Sequence, residues 1–509
     1  MTTKTLAPLN AEYLRTHTTI APDATALPVR IVQFGEGGFL RGFVDWMIDR
    51  LNRKGLFNGS ITVVQPIARG MIDVLNTQGG LYTHLMRGME TGEIVERRVI
   101  VGSIRNGLNP YTDFAGYLAL AHNPDLRFIV SNTTEAGIAT NPEDKLDAQP
   151  AISFPGKLTQ LLFERYKTFH GDPAKGFVLL PCELIDRNGD NLKRTVLETA
   201  TKWNLDAAFI EWIEKHNIFT NTLVDRIVTG YPRDEAEALW REAGYTDNLY
   251  NTSELFHLWV IEGPEELANE LPLPAAGFNV IFAPSIKPYR DRKVRILNGA
   301  HTVSVLAGYL AGKNLVGENM DDAALSSFTG KAILEEVIPG LTLPPHNLSS
   351  KELHSYANAV FERFRNPYIK HALLSISLNS VSKYKARVLP SVKEYIAHKG
   401  TVPRRLAFGL AALIAFYRGT VIRDGALIGS RNGTEYLIKD DLSILEAFAA
   451  LWAEYDGTAT GAEKLVTSVL GKAEWWGKDL NSLPGFHAAV TADLYTILTD
   501  GVYAALAKL

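Results

Sequence analysis

The feature that most constrains this chain is an apolar run that ends in a cluster of glycines and continues as a helix. Val29–Phe34 reads as a strand, and a Gly-Glu-Gly-Gly sequence follows it directly. Beyond the glycines, Phe43 and Met47 recur at helical spacing. Gly35 and Gly37 match the start of the dinucleotide-binding fingerprint, where glycines allow a tight turn and a close approach of the backbone to a pyrophosphate. This strand–turn–helix unit predicts a nucleotide-binding α/β domain.

The glycine loop, residues 35–38, matches that fingerprint only in part. The third glycine of the pattern is replaced by Leu40, whereas Arg41 could add a positive charge for a phosphate at the helix N-terminus. The alternative is a plain strand-to-helix turn. The acidic residue that normally binds the cofactor ribose after the second strand is missing from residues 65–69, and Arg69 could tolerate a 2′-phosphate. The sequence therefore leaves the choice between NAD and NADP open.

Strand candidates alternate with helical stretches through the first half of the chain. They are residues 61–64, 99–104, 126–131 and 176–181, with a helical stretch at 157–169. This alternation predicts a parallel sheet covered by helices. From Pro288 onward, long helical patterns dominate, at residues 323–337, 350–364, 404–417 and 441–452. We expect an α/β dinucleotide-binding domain over residues 1–285 and a mostly α-helical substrate-binding and catalytic domain over residues 286–509.

A lysine, a carboxamide and an imidazole follow this boundary closely, as Lys293, Asn298 and His301. The pattern predicts a helix over residues 295–306, with Asn298 and His301 on one face because they are three apart. Lys293 is then expected at the helix entrance, where the helix dipole and partial burial would both disfavour its ammonium form. Interconversion of an alcohol and a ketone needs such a cluster, since one group must move a proton while others hold the oxygen.

The same three residues also allow an ordinary interpretation. Lys293 could be a solvated surface lysine, Asn298 a polar helix residue and His301 a hydrogen-bonded core histidine. Spacing alone favours this interpretation, because polar residues most often face solvent or satisfy structural hydrogen bonds. Evidence from other segments is needed to decide between the two.

Composition argues against several classes of protein and of site. A formal net charge of −4 gives no field that would attract nucleic acid or an acidic membrane. A single cysteine, Cys182, excludes an internal disulfide, and the 12 histidines show no metal-ligand spacing, so we expect no metal. Residues 1–27 lack the apolar core of a signal peptide, and residues 406–417 are too few to span a bilayer. We expect a cytoplasmic protein.

Five separated segments resemble the long-chain mannitol dehydrogenase family of polyol and sugar-acid oxidoreductases. They are IVQFGEGGFLRGFVDW (31–46), SNTTEAG (131–137), NTLVDRI (221–227), KVRILNGAH (293–301) and RFRNPYIKH (363–371). Within the family, three phrases are similar to the tagaturonate reductase (altronate oxidoreductase) branch: QFGEGGFLRGFVDW, LPCELIDRNGDNL and VDRIVTGYPRDE. The mannitol and fructuronate branches usually carry a histidine where Leu40 stands.

The resemblance implies a Rossmann-type N-terminal domain, a mostly α-helical C-terminal domain and metal-independent hydride transfer with NAD, without excluding NADP. It implies Lys293 as general acid/base, with Asn298 and His301 holding the substrate oxygen. It also implies two cofactor-binding groups: Gly35, Gly37, Phe39 and Arg41 on the glycine loop, and Ser131, Asn132 and Thr133 towards the nicotinamide. Glu135, just beyond the second group, could relay protons or cap the next turn.

The resemblance further implies a set of substrate-binding residues: Asp225, Arg363, Asn366 and Lys370. Asp225 could instead form a structural ion pair with Arg226. The cations around Asn366, which include Arg365, could be a solvated helix end or a carboxylate site, where arginine can form two hydrogen bonds. Three later cations are expected to be surface charges: Lys383, Lys385 and Arg387.

One departure from the family concerns a second asparagine that helps to bind the substrate oxygen in the mannitol branch. Leu184 stands at the aligned position, with Asn188 and Asn191 only nearby. The sequence therefore assigns that role to no residue.

The implied reaction is the reversible reduction of D-tagaturonate to D-altronate with NADH. Fructuronate reductase and a polyol dehydrogenase such as mannitol 2-dehydrogenase are the alternatives within the family, and a non-catalytic nucleotide sensor is the alternative outside it. The expected partner is a small-molecule sugar acid, and neither nucleic acid nor a membrane. The oligomeric state is left open.

Overall fold

The chain forms two compact units, each described here by itself. The computed structural model describes residues 6–17, 24–134 and 136–509. The first unit comprises Met1–Arg87 and Ile94–Ile286, and the second comprises Gly88–Glu93 and Lys287–Leu509. Within the described ranges, no helix is long and apolar enough to cross a membrane.

A six-stranded parallel sheet forms the centre of the first unit. Its strands are β1 (Val29–Phe34), β2 (Ser60–Val64), β3 (Ile104–Leu108), β4 (Phe128–Ser131), β5 (Val178–Pro181) and β6 (Ile218–Phe219). They lie in the order β3-β2-β1-β4-β5-β6, and all neighbours are parallel. This is the strand order of the dinucleotide-binding fold, in which ligands bind beyond the carboxyl ends of the strands where the order reverses. The predicted fold class is confirmed.

Alternation along the strands divides the core between the two faces of the sheet. Ile31 packs in one apolar cluster, whereas its neighbour Val32 packs in another. Both are almost completely buried, as expected for a parallel sheet covered on both sides. The helices that cover the sheet include Trp46–Arg53, Ile72–Thr77, Phe114–Ala119, Phe154–Thr168, Asn188–Lys202 and Ala207–His216, whereas Ala236–Ala243 packs in a separate small cluster with Leu85 and Tyr250.

The strand predicted over residues 99–104 is wrong. One strand, Glu93–Val101, ends inside it, and β3 begins at Ile104. The break is fixed by the helix that follows the glycine loop. Asp49 accepts a hydrogen bond from the Gly102 N–H at 2.9 Å, and the Ser103 hydroxyl donates to the Asp45 carbonyl at 2.7 Å. These long-range bonds interrupt a run that looks continuous in sequence.

Smaller sheets complete the first unit. A three-stranded sheet contains Asn221–Asp225, Leu258–Glu262 and Val280–Ala283. A four-stranded sheet contains Val228–Gly230, Asn251–Ser253, Tyr82–Glu90 and Glu93–Val101, of which the hairpin tip Gly88–Glu93 is counted with the second unit. Ala7–Pro8 pairs with Tyr245–Thr246.

The second unit is mostly α-helical. Its longer helical segments are Lys287–Lys293, Gly299–Leu310, Ala323–Lys331, Ser350–Phe364, Ser380–Arg387, Leu389–Lys399, Arg404–Phe416, Leu442–Ala453, Ala459–Leu470 and Phe486–Asp500. A small antiparallel sheet is formed by Ile422–Arg423, Ala426–Arg431 and Thr434–Ile438. The Arg404–Phe416 helix is buried along almost its whole length, which explains its nearly uniform apolar sequence.

Candidate active site

Lys293, Asn298 and His301 lie on one long helix that contains a π-helical turn. We call it the Lys293 helix; it consists of Lys287–Lys293, a π-helix at Val294–Asn298, and Gly299–Leu310. The expectation that this helix begins at residue 295 is wrong. Lys293 is half-buried and lies nearly two turns inside the helix, not at its entrance. The predicted effect of the helix dipole on Lys293 therefore does not apply, because that effect is confined to the first turn.

The π-helical turn changes which side chains share a face of this helix. The Gly299 N–H donates to the carbonyl of Val294, five residues earlier. Because hydrogen bonds between residues five apart widen the turn, Lys293 and Asn298 point in more similar directions than on an α-helix. Asn298 and His301 are three apart and remain neighbours. The turn therefore brings the directions of Lys293 and Asn298 closer together, and π-helical turns of this kind are frequent at functional sites.

The Lys293 helix is held in place by close packing and by an ion pair. Gly409 of the Arg404–Phe416 helix faces it: a Cβ on Gly409 would lie only 3.3 Å from Cγ1 of Val303. Arg295 donates to Glu394 at 2.8 Å and to the Ser391 hydroxyl at 2.7 Å. Both contacts fix the rotation of the helix, and with it the direction of the candidate catalytic side chains.

His301 lies in an aromatic and cationic environment. Its ring stacks on Phe364, with centroids 4.1 Å apart, and meets His371 edge-on at 5.4 Å. Its Nδ1 is buried and has no hydrogen-bond partner among the described residues. Burial is the main cause that lowers the pKa of His301 to about 3, and the positive charges of His371 and Arg363 act in the same direction. His301 is therefore a neutral imidazole with one unsatisfied ring nitrogen.

Two of the three cations expected at the surface belong to this environment. Lys383 and Arg387 are half-buried, and their charges also lower the pKa of His301. The Lys383 ammonium donates to the Ile376 carbonyl at 2.8 Å, and burial lowers the pKa of both cations. The surface prediction is wrong for these two residues, whereas Lys385 is exposed. Helical spacing explains the difference, because residues 383 and 387 share a face that residue 385 does not.

The other residues predicted for substrate binding occupy different environments. Arg363 is half-buried at the end of the Ser350–Phe364 helix, near enough to lower the pKa of His301. Asn366 is 4% exposed and accepts the Tyr368 N–H at 3.1 Å. Lys370 is exposed, as is Arg365, which donates to the Ser326 hydroxyl. Roles for Asn366 and Lys370 stay predictions.

In the first unit, the glycine loop has the shape needed to hold a phosphate. Gly35 adopts a φ of +116°, and a Cβ there would lie 3.0 Å from the Asn132 carbonyl oxygen, so glycine is needed for both reasons. A Cβ on Gly37, in contrast, would meet nothing within 4 Å. Phe39 stacks on Phe43 at 5.1 Å. The backbone at Gly37 therefore faces open space at the carboxyl end of β1, as a dinucleotide pyrophosphate requires.

Gly42, two residues beyond Leu40, takes the packing role of the third glycine in the fingerprint. Leu40 is buried in the core beneath the loop. At Gly42, a Cβ would lie 2.8 Å from the Asn251 carboxamide nitrogen and 2.9 Å from the His84 ring. Close packing, the usual role of the third glycine, thus falls on Gly42. The spacing differs because the helix passes through a π-helical turn at Arg41–Asp45.

Arg41 is buried and held by protein groups. Its Nε donates to the Glu36 carbonyl at 3.1 Å, and a terminal nitrogen donates to the Leu249 carbonyl. The guanidinium lies over the Tyr82 ring, 5.3 Å from the centroid. These contacts fix the shape of the glycine loop, whereas direct binding of a phosphate by Arg41 stays a prediction.

Ser131, Asn132 and Thr133 lie at the end of β4, and two of them bond to a carboxylate, Glu183, that the sequence did not predict as part of the site. The Ser131 hydroxyl donates to Glu183 at 3.1 Å, and the Thr133 N–H and hydroxyl donate to it at 3.0 Å. Asn132 donates to the Cys182 carbonyl at 2.9 Å. Burial raises the pKa of Glu183, and these donors oppose the shift. The sequence does place Glu183 just beyond a predicted strand, β5, and such a position is typical of residues in a ligand site. Glu135 lies outside the described residues.

Comparison with known proteins fits this arrangement. The model of the mannitol dehydrogenase Rossmann domain matches residues 29–275, and that of the mannitol dehydrogenase C-terminal domain matches residues 285–498. The chain belongs to the mannitol dehydrogenase family. Two proteins named altronate oxidoreductase, from Escherichia coli O6:K15:H31 (strain 536 / UPEC) and O1:K1 / APEC, are each 48% identical over 95% of this chain and 97% of their own.

Two solved structures share the fold of this family member over at least 95% of its length. A substrate-free D-sorbitol dehydrogenase superposes with a TM-score of 0.75 at 22% identity, covering 95% of this chain and 96% of that one. The mannitol 2-dehydrogenase of Pseudomonas fluorescens, in a complex with NAD and D-mannitol, gives a TM-score of 0.64 at 24% identity, covering 98% and 99%. The two family models and the relatives named altronate oxidoreductase, 48% identical over 95% of the chain, show the activity: the protein is an oxidoreductase, a dehydrogenase of the sugar-acid and polyol type.

Leu184, not an asparagine, stands where the mannitol branch has its second asparagine. Leu184 is 65% exposed, which is unusual for a large apolar side chain. Asn188 is buried and donates to the carbonyls of Pro181, Glu183 and Thr222, so it joins three chain segments. Asn188 is therefore a structural residue.

Asp225 ends a strand of the three-stranded sheet and is buried. The adjacent Arg226 donates to the carbonyls of Glu254 and Gly42 and lies over the Trp46 ring, 4.3 Å from the centroid. Burial lowers the pKa of Arg226 to about 9. Arg226 thus has a structural role of its own, and substrate binding by Asp225 stays a prediction.

Proposed function

We propose that the protein catalyses the reversible, NAD-linked reduction of D-tagaturonate to D-altronate. Relatives named altronate oxidoreductase share 48% of their residues with it over 95% of the chain. The structural observation that supports the proposal most directly is Nδ1 of His301, which is buried without a partner among the described residues. Because buried polar atoms normally form hydrogen bonds, an oxygen of a bound ligand is the natural partner for this imidazole.

In this mechanism each residue of the Lys293 helix has one task. A bound nicotinamide cofactor would supply the hydride for reduction and would take it up in oxidation. Lys293 delivers a proton to the ketone oxygen in reduction and accepts it back in oxidation. The Asn298 carboxamide donates a hydrogen bond to the same oxygen. His301 holds this oxygen as a neutral imidazole, since the low pKa of its ring keeps it from carrying the proton.

The charges around His301 favour a sugar acid over a neutral sugar. Arg363, Lys383 and Arg387 are half-buried cations that act on one imidazole. Asp440 offsets part of the charge at Lys383 by raising its pKa, and a bound anion would offset the repulsion among the three cations further. We assign these cations, with the predicted residues Asn366 and Lys370, to the uronate carboxylate, and Asp225 to the hydroxyl chain.

The test follows NADH absorbance with D-tagaturonate, D-fructuronate and D-fructose in turn. We expect the largest kcat/KM with tagaturonate and only weak turnover of fructose, which lacks the carboxylate. A preference for fructuronate or fructose would replace the proposal with one of these related activities. No turnover of any of the three would favour a non-catalytic role.

Lys293 is tested in the same assay. Lys293→Ala should lower kcat by about 10²–10⁴-fold in both directions, the usual range for loss of a general acid/base. Near-normal turnover by the variant would refute this assignment.

A further inference from the structure

The carboxylate that the sequence lacks after β2 is supplied by the glycine loop. Residues 65–69, where a ribose-binding acid is expected, contain none. Glu36, between the first two glycines, is only 9% exposed and turns its carboxylate towards this segment. Its Oε1 accepts the Met71 N–H at 3.4 Å, and a Cβ on Gly70 would lie 2.1 Å from it. Any side chain at position 70 would collide with the Glu36 carboxylate, so a glycine at this position leaves room for that carboxylate.

A second acceptor oxygen, Oε1 of Gln65, also lies next to Gly70. Gln65 donates from Nε2 to the Ile67 carbonyl at 2.8 Å, which fixes the orientation of its amide and leaves Oε1 as an acceptor. This Oε1 would lie 2.4 Å from the same Gly70 Cβ position. Within the described chain, no donor bonds to Gln65 Oε1. A ligand that brings two donors, as a vicinal diol does, could bond to both oxygens at once.

The place of these acceptors in the fold identifies the diol. The Gly35 N–H donates to the Val64 carbonyl at 3.1 Å, so the glycine loop and the segment after β2 leave the sheet side by side. In dinucleotide-binding folds, this crevice at the ends of the first two strands holds the adenosine ribose. We propose that Glu36, together with Gln65, binds the ribose 2′- and 3′-hydroxyls and excludes a 2′-phosphate, making the enzyme specific for NAD.

Charge is the basis of the exclusion. A 2′-phosphate would bring its negative charge against the Glu36 carboxylate and would lack the hydroxyl proton that the carboxylate accepts. Burial raises the pKa of Glu36, whereas the Met71 N–H and the charge of Arg41, which donates to the Glu36 carbonyl, act in the opposite direction and favour the ionised carboxylate. Arg69 is the competing feature, because it is an exposed cation in the same segment. The inference rests on the proposed use of a nicotinamide dinucleotide.

The test measures binding without turnover. Isothermal titration calorimetry would compare ADP-ribose with its 2′-phosphorylated form for the wild type, Glu36→Gln and Arg69→Ala, alongside kcat/KM for NADH and NADPH. Glu36→Gln keeps the size of the side chain and removes its charge. We expect the wild type to prefer ADP-ribose, and Glu36→Gln to reduce the ratio of the two affinities by about tenfold or more. Arg69→Ala should leave that ratio unchanged.

The outcomes separate this inference from the proposed function. An unchanged ratio in Glu36→Gln, or a wild type that prefers the phosphorylated form and loses that preference in Arg69→Ala, would overturn the assignment to Glu36. Failure of the wild type to bind either compound would refute the use of a dinucleotide and, with it, the proposed function. Equal circular dichroism spectra and melting temperatures would show that each variant is folded.

Discussion

The neutral state of His301 is a prediction with a measurable size. Burial, supported by nearby positive charges, lowers the pKa of His301 from an ordinary value of 6.5 to about 3. Between these two values the unfolded chain binds a proton at this position and the folded chain does not. The protein must therefore lose stability as the pH falls from 6.5 towards 3. At pH 5 the loss from this one group is about 2 kcal/mol relative to pH 7.5.

Replacing His301 with glutamine removes this source of pH dependence. Urea unfolding of the wild type and of His301→Gln at pH 7.5 and pH 5 would give four free energies of unfolding. We expect acidification to destabilise the variant by about 2 kcal/mol less than the wild type. The comparison cancels the other titrating groups, which both proteins share.

A direct measurement uses the ring protons of ¹³C-labelled histidine in NMR spectra, with the His301 signal identified by its absence from His301→Gln. The signal should not titrate between pH 8 and pH 5. In His371→Gln, the pKa of His301 should rise but stay below its ordinary value, because burial is the larger cause. A midpoint above about 5 in the wild type would refute the reasoning and would make His301 a candidate proton carrier.

Three further predictions concern the helix contacts and the cations. Gly42→Ala forces a Cβ into Asn251 and His84 and should lower the free energy of unfolding by about 1–3 kcal/mol. Gly330→Ala is the control, because a Cβ there meets nothing within 4 Å and should not lower the free energy of unfolding. Equal losses in the two variants would contradict the packing argument. Lys383→Met should raise the KM for the uronate several-fold with little change for fructose, while Lys385→Met, on the exposed side of the same helix, should leave both unchanged; the reverse pattern would remove Lys383 from the site. Arg295→Met breaks an ion pair that fixes the Lys293 helix and should lower kcat more than it changes KM, with partial rescue by Arg295→Lys; an unaffected kcat would show that the pair has no positioning role.

Local sequence patterns predicted the parts of the site that depend on neighbouring residues. Gly35 and Gly37 could be placed at a strand end because an apolar run and a helical pattern flank them. Asn298 and His301 could be placed on one helix face because they are three residues apart. The stretch Lys287–Lys293 has no apolar periodicity, because only Arg292 of it is buried, and for that reason the start of the helix and the position of Lys293 within it were predicted wrongly.

By itself, the sequence determined the fold class, the approximate position of most elements of the central sheet, and the family. Periodicity and glycine placement depend only on neighbouring residues, so they can be recognised without knowing how the chain folds. The tertiary structure alone decided which distant groups meet: Glu36 with the segment after β2, Glu183 with the end of β4, and Phe364 and His371 with His301. The pKa of His301 belongs to this second class, because burial and the charges that produce it come from residues far away in sequence.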